Sequence, residues 1–197
     1  MAKLPETSTP TRDAIFHAYE NDSRDGFRSH LGASIIGREC ERDIWYSFRW
    51  AMRSNFSGRM IRLFETGQLA EARFIQDLRR TGATVIEVDP ETGRQFTVTA
   101  HGGHFGGSLD GVGYDLLEAP HTWHVLEFKT HSDKSFHELL NKQVFGSKEQ
   151  HYAQMQIYMR LLKLTRALYM AVNKNNDDLY VERIELDIDY ADRLLAK

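Results

Sequence analysis

At 197 residues, with 41% hydrophobic and 27% charged positions, the chain has the length and balance of one soluble domain with a substantial core, and is no fibrous or disordered segment. Its single cysteine, Cys40, excludes an internal disulfide framework, and no apolar run is long enough to span a bilayer. A net charge of −3 excludes a uniformly basic nucleic-acid binder and turns attention to how charge is distributed.

The opening Met1 to Arg12, with Pro5, Pro10 and several threonines, lacks the apolar centre of a signal peptide and is expected to be a mobile tail, leaving 13–197 as one domain in the cytoplasm. A helix is predicted over Arg38 to Met52, with Ile44, Trp45, Phe48 and Met52 as its apolar stripe. Residues 24–62 hold Arg24, Arg28, Arg38, Arg42, Arg49, Arg53, Arg59 and Arg62 against Asp25, Glu39, Glu41 and Asp43, with no lysine: a local charge of +4 that leaves −7 for the rest. Arginine's planar fork suits phosphate oxygens, so this asymmetry would confine phosphate binding to one face and leave the other acidic enough to gather cations.

A second helix is predicted from Met60 to Arg80, burying Leu63, Leu69 or Ala70, Phe74 and Leu78. Gly67 and Glu71 lie four apart on one of its faces, a small residue for close backbone approach and a carboxylate. Thr81-Gly82 ends it. Strands are predicted at Thr84 to Val88, Gln95 to Thr99, His104 to Gly113 and Trp123 to Lys129, punctuated by Pro90-Glu91-Thr92-Gly93 and Gly102-Gly103. A short helix over Ser135 to Asn141 precedes a longer one carrying His151, Gln154 and Tyr158 on an i, i+3, i+7 stripe. Ala167 to Val172 and Leu179 to Leu186 read as a hairpin around Asn175-Asn176-Asp177-Asp178, and a short helix closes the chain. His101 with His104, and His121 with His124, flank strands or turns without cysteines or a His-Glu-x-x-His helix, and are read as structural.

The chemistry concentrates in Gly107-Ser108-Leu109-Asp110-Gly111 and, seventeen positions after Asp110, Glu127-Phe128-Lys129. Period-two alternation places Glu127 and Lys129 on one strand face and Leu126 and Phe128 on the other. Asp110 and Glu127 offer hard oxygen ligands of the kind Mg2+ or Mn2+ prefers, and the Phe128 carbonyl could add another. Two convergent carboxylates repel unless a cation joins them. Such an ion lowers the pKa of a bound water, and Lys129 could orient that water or stabilise charge on a phosphate. Phosphodiester cleavage is the expected chemistry. A Glu-x-Lys triplet alone carries little information; the ordered company of Glu71, Asp110 and the Gln154 helix gives it weight.

Taken in order, these pieces resemble the PD-(D/E)XK nuclease superfamily. Gly67 with Glu71 is similar to its Gly-x-x-x-Glu helix, Asp110 to its strand aspartate, Glu127-Phe128-Lys129 to its Glu-x-Lys, and Gln154 with Tyr158 to the Gln-x-x-x-Tyr helix of the RecB-like branch. The stretch His30-Leu31-Gly32-Ala33-Ser34-Ile35-Ile36-Gly37, with Cys40-Glu41-Arg42 and Trp45-Tyr46, resembles the start of YqaJ-like or lambda-type phage recombination exonucleases. Leu109 stands where family members often have proline, and the interval from Asp110 to Glu127 is long for the family.

The resemblance implies an α/β restriction-endonuclease-like core, a mixed central sheet flanked by helices. It implies Glu71, Asp110, Glu127 and Phe128 as metal ligands for Mg2+ or Mn2+, Lys129 as the residue assisting water, and Gln154 and Tyr158 as groups positioning the lysine or phosphate. Ser34, with Arg28 or Arg42, would hold a DNA end. The lone Cys40 leaves no ligand set for an iron-sulfur cluster within this chain. The implied activity is digestion of linear double-stranded DNA from an end for phage-type recombination, in the host cytoplasm if phage-encoded. A single-strand annealing protein and a ring of identical subunits are the implied partners, and no membrane is. Two alternatives stay open: an endonuclease on the same core, and a DNA-binding module without turnover.

Overall fold

The computed structural model describes residues 9–22, 30–51 and 55–197. In chain order they form α1 (Pro10–Asp22), β1 (Leu31–Gly32), a 3-10 turn (Ala33–Ile35), α2 (Glu41–Phe48), α3 (Gly58–Arg80), β2 (Thr84–Ile86), β3 (Thr97–Ala100), a second 3-10 turn (His101–Gly103) and β4 (Phe105–Ser108). β5 (Gly111–Tyr114), β6 (His124–His131), α4 (Asp133–Ser147), α5 (Glu149–Leu162), β7 (Arg166–Asn173), β8 (Leu179–Glu185) and α6 (Ile188–Leu195) complete the fold. No helix among the described residues is long and apolar enough to cross a membrane.

The strands make two mixed sheets flanked by helices. The larger has the order β2-β5-β6-β7-β8, with β6 and β7 parallel and the other neighbours antiparallel. The smaller has the order β1-β4-β3. β6 is central and covered on both faces, so its first five residues are all buried. Leu126 and Phe128 pack with Phe74, Ile75 and Leu78 of α3. Val125 packs into the other cluster with Ala153, Met155 and Ile157 of α5. The two-residue period of the strand thus sorts its side chains between two helices.

Several expectations shift. The strand foreseen over His104 to Gly113 is two strands in two sheets, parted at Leu109-Asp110. Leu109 is fully buried and its backbone turns toward the small-sheet side, bonding the Phe96 carbonyl at 2.9 Å and the Gln95 side chain at 2.8 Å. Leu63 and Leu69 are exposed, because only the second half of α3 covers the sheet. Its first half meets α1, where Tyr19 bonds Glu65 at 2.5 Å and the Gly58 N–H bonds Glu20 at 2.7 Å. α1 itself begins at Pro10, inside the expected tail, and buries no residue, so no apolar stripe announces it; Thr9-Pro10 is its one start signal. α2 is shorter than foreseen, with Trp45 exposed, while Met52 lies outside the described residues. α4 runs to Ser147 but breaks at Gln143 (φ 59°, ψ −179°), where Glu182 takes the Val144 N–H at 2.9 Å.

Candidate active site

The break between β4 and β5 builds the site. β5 pairs with β6 from Gly111 opposite Leu126 upward, so continuing the register would put residue 109 opposite Phe128. The chain leaves the sheet there, and the Asp110 carboxylate accepts the orphaned Phe128 N–H at 2.7 Å. In an extended strand the N–H and C=O of one residue point to the same side. The Phe128 carbonyl therefore faces the vacated edge as well, where it accepts the Lys129 ammonium at 3.1 Å.

Glu127 is fully buried, and the Lys129 ammonium lies directly against its Oε1. The same nitrogen is 4.0 Å from Asp110, so it bridges the two carboxylates. Glu127 Oε1 has no hydrogen bond of ordinary geometry. Burial pushes its carboxyl up to about 7 against the pull of Lys129, with Asp110 and Glu71 adding to the rise. Burial opposes the charged form of Lys129, yet Glu127, Asp110 and Glu71 together outweigh it and raise its pKa. Glu71, half-buried on α3, is raised by burial and by Asp110. The three carboxylates and the lysine thus form one electrostatic unit. Phe74, three residues after Glu71, stacks on Phe128 with ring centres 5.1 Å apart, which fixes α3 against the site strand.

Gln154 and Tyr158 take positions other than those foreseen. Both are buried on α5. The Gln154 amide donates to Glu127 Oε2 at 3.3 Å and to the Tyr158 hydroxyl at 3.1 Å. Tyr158 in turn donates to the Ser108 carbonyl at 2.8 Å. The pair therefore supports Glu127 from behind instead of reaching Lys129, and the Tyr158 hydroxyl is consumed by these two bonds. Gly67 differs too: among the described residues a Cβ there would meet only Thr130 Oγ1, at 4.0 Å, and no backbone of theirs outside its own helix approaches it closely.

Ser34 is exposed in the Ala33–Ile35 turn and Arg42 is exposed on α2. The intervening Gly37 packs against α5, where a Cβ would lie 2.7 Å from that of Ala153. Among the described residues, no hydrogen bond or ion pair joins Ser34 or Arg42 to the carboxylates. Arg28 lies outside the described residues.

Sequence reasoning passed over a buried chain beside the site. Tyr169, the register neighbour of Glu127 on β7, places its hydroxyl 2.8 Å from His131 Nε2 and 3.0 Å from His151 Nδ1, and His131 Nδ1 meets Ser135 at 3.0 Å. One imidazole donates to the hydroxyl, which donates to the other. Burial, with the Lys129 and Lys148 charges, lowers His131 to about 4 and His151 to about 3. A tyrosine amid an apolar strand was the available signal.

The donor set suits a hard divalent cation: three mutually repelling carboxylates and a backbone carbonyl, with one buried carboxylate oxygen met only by the Lys129 ammonium. Among the described residues no three acidic, histidine or cysteine side chains stand close enough together to hold a metal ion as they are placed here, so ion binding would require Glu71, Asp110 and Glu127 to draw closer. The Lys129 ammonium supplies the neutralising charge between Glu127 and Asp110.

Neither a protein-family model nor a curated protein matches the sequence. Solved structures do match. The chain superposes on LHK-Exo, crystallised with dAMP, with a TM-score of 0.60 at 18% identity, over 93% of this chain and 87% of that one. Another crystal structure, of the alkaline exonuclease LHK-Exo from Laribacter hongkongensis, gives 0.54 at 18% identity, over 93% and 91%. A phage-related exonuclease from Haemophilus somnus 129PT gives 0.51 at 12% identity, over 86% and 90%. At these identities the likeness establishes a shared nuclease fold, and the site residues must carry the chemistry.

Proposed function

We propose that this chain, which shares its fold with exonucleases, is a metal-dependent deoxyribonuclease that digests linear double-stranded DNA from an end. The observation that carries this reading is the fully buried Glu127 with the Lys129 ammonium against it and Asp110 at 4.0 Å from the same nitrogen. Burial drives that carboxyl up to about 7, and carboxylates perturbed in this way concentrate at functional sites.

Glu71, Asp110, Glu127 and the Phe128 carbonyl would hold the ion. A bound Mg2+ or Mn2+ supplies Lewis-acid stabilisation of phosphate charge and a water of lowered pKa. The protein's own part is positional and electrostatic. The Phe128 N–H pins Asp110, and Gln154 holds Glu127. Lys129 would direct its N–H groups to the attacking water or to a non-bridging phosphate oxygen. The preference for ends is supported by the likeness to exonuclease structures.

The test is digestion of one plasmid, closed circular and linearised, with Mg2+, with Mn2+, with chelator, and with Lys129→Ala. Loss of the linear form alone, dependent on metal and lysine, is the expected result. Nicking of the circle would replace this reading with an endonuclease, and no cleavage of either form would replace it with a binding module.

A further inference from the structure

Outside the catalytic cluster, the largest concentration of unexplained chemistry on the described surface is one face of α2. Trp45 is 54% exposed and Tyr46 40%, their rings edge to face at 5.2 Å. Large exposed aromatic pairs are uncommon on a surface with no partner to meet. Arg42 lies three and four residues before them and Arg49 four and three after, so all four side chains share a helix face about 10 Å long. The Arg49 guanidinium sits over the Trp45 ring, 5.9 Å from its centre. Among the described residues neither Arg42 nor Arg49 makes an ion pair, whereas Arg38 is tied to Asp43 at 2.7 Å. Glu41, one turn before Trp45, is the acid nearest that face.

We propose that Arg42, Trp45, Tyr46 and Arg49 form a stacking platform for unpaired nucleobases, taking single-stranded DNA across α2; the proposal rests on the reading of the protein as a DNA-processing enzyme. Aromatic faces grip bases only where those bases are unstacked, which a duplex offers only at its ends and a single strand offers throughout. The flanking guanidinium groups meet the phosphates on either side of a stacked base. Tyrosine and tryptophan side chains held in a preformed pair lose little freedom on binding. The platform is joined to the site: the loop before α2 packs through Gly37 against Ala153, one residue before Gln154.

The test is fluorescence anisotropy of a labelled oligothymidylate in chelator, which prevents cleavage, with a blunt hairpin duplex measured in parallel. Trp45→Leu/Tyr46→Leu keeps apolar area without π-faces, and Trp45→Phe/Tyr46→Phe keeps the π-faces. The expected result is roughly tenfold or greater weakening of oligothymidylate binding in the leucine variant, the size that one lost stack gives, near-normal binding in the phenylalanine variant, and a smaller weakening for the hairpin, which offers unstacked bases only at its loop and end. Equal oligothymidylate affinity in wild type and the leucine variant would overturn the proposal. So would a wild-type dimer, seen by light scattering, that the leucine variant splits, since a second copy would then cover the face. Digestion of linear duplex with Mg2+ by the same proteins separates the two readings. Cleavage with no binding difference removes the platform alone, and a binding difference without cleavage removes the nuclease alone.

Discussion

Asp110 accepts the Phe128 N–H at 2.7 Å at the point where β5 abandons β6. The same carboxylate that is assigned to the ion therefore also completes the sheet. Asp110→Asn keeps an oxygen acceptor and Asp110→Ala removes it. The asparagine variant is expected to melt close to wild type and lose turnover, whereas alanine also loses about 1–3 kcal/mol of stability for the unpaired N–H. Thermal melts beside a cleavage assay separate the two effects; equal stability of both variants would show that the bond contributes nothing.

Lys129→Ala is expected to lower DNA cleavage by at least about 100-fold while the protein stays folded. Folding survives because Glu127, already driven to about 7, can take a proton when its cation is removed. Circular dichroism and a single-turnover assay are the checks. Turnover retained within a few-fold would take Lys129 out of the mechanism.

A methyl group on Gly107 would lie 2.6 Å from the Tyr158 hydroxyl and 3.1 Å from the Ala33 Cβ. Gly107→Ala must therefore displace a buried ring, with an expected cost of about 1–3 kcal/mol. Because Tyr158 holds Gln154 and Gln154 holds Glu127, kcat should fall more than substrate affinity changes. Gly67→Ala, which among the described residues meets only Thr130 Oγ1 at 4.0 Å, is expected to leave both stability and turnover nearly unchanged.

His131 is buried and His151 partly buried, and both are lowered, to about 4 and about 3, from an ordinary 6.5. In the unfolded chain both gain protons as pH falls through 6.5, while the folded protein resists until about 4 and 3. Their contribution to stability is therefore complete above about pH 6.5 and is lost progressively toward pH 3. Melting temperature should fall steeply between pH 6.5 and 4. His151→Asn, which keeps a polar partner for Tyr169, should flatten that fall; an unchanged slope would show that His151 does not titrate with unfolding.

The candidate site residues Glu71, Glu127, Lys129, Gln154 and Tyr158 were legible in the sequence because each obeys a local rule. Alternation in β6 fixes the faces of Glu127 and Lys129, and helical spacing fixes Gly67 with Glu71 and Gln154 with Tyr158. Partners were not legible, since they depend on how elements pack. Gln154 meets Glu127 because α5 lies across the face of β6 that carries it, and nothing within α5 encodes that choice. The division of His104 to Gly113 between two sheets escaped for a similar reason: both halves are strand-like, and only the burial of Leu109 between them sends the chain from one sheet to the other. α1 escaped because a helix that buries nothing has no apolar period to read.

The bonds from α5 run to both sheets, through Gln154 to Glu127 on the larger and through Tyr158 to Ser108 on the smaller. Reactive geometry is thereby made conditional on the seam between sheets: slippage that would leave each sheet internally intact would still withdraw the amide that orients the buried carboxylate. A chain that has assembled only its larger sheet would hold Asp110, Glu127 and Lys129 together yet lack the bond from Tyr158 to Ser108 that anchors the support of Gln154 in the smaller one.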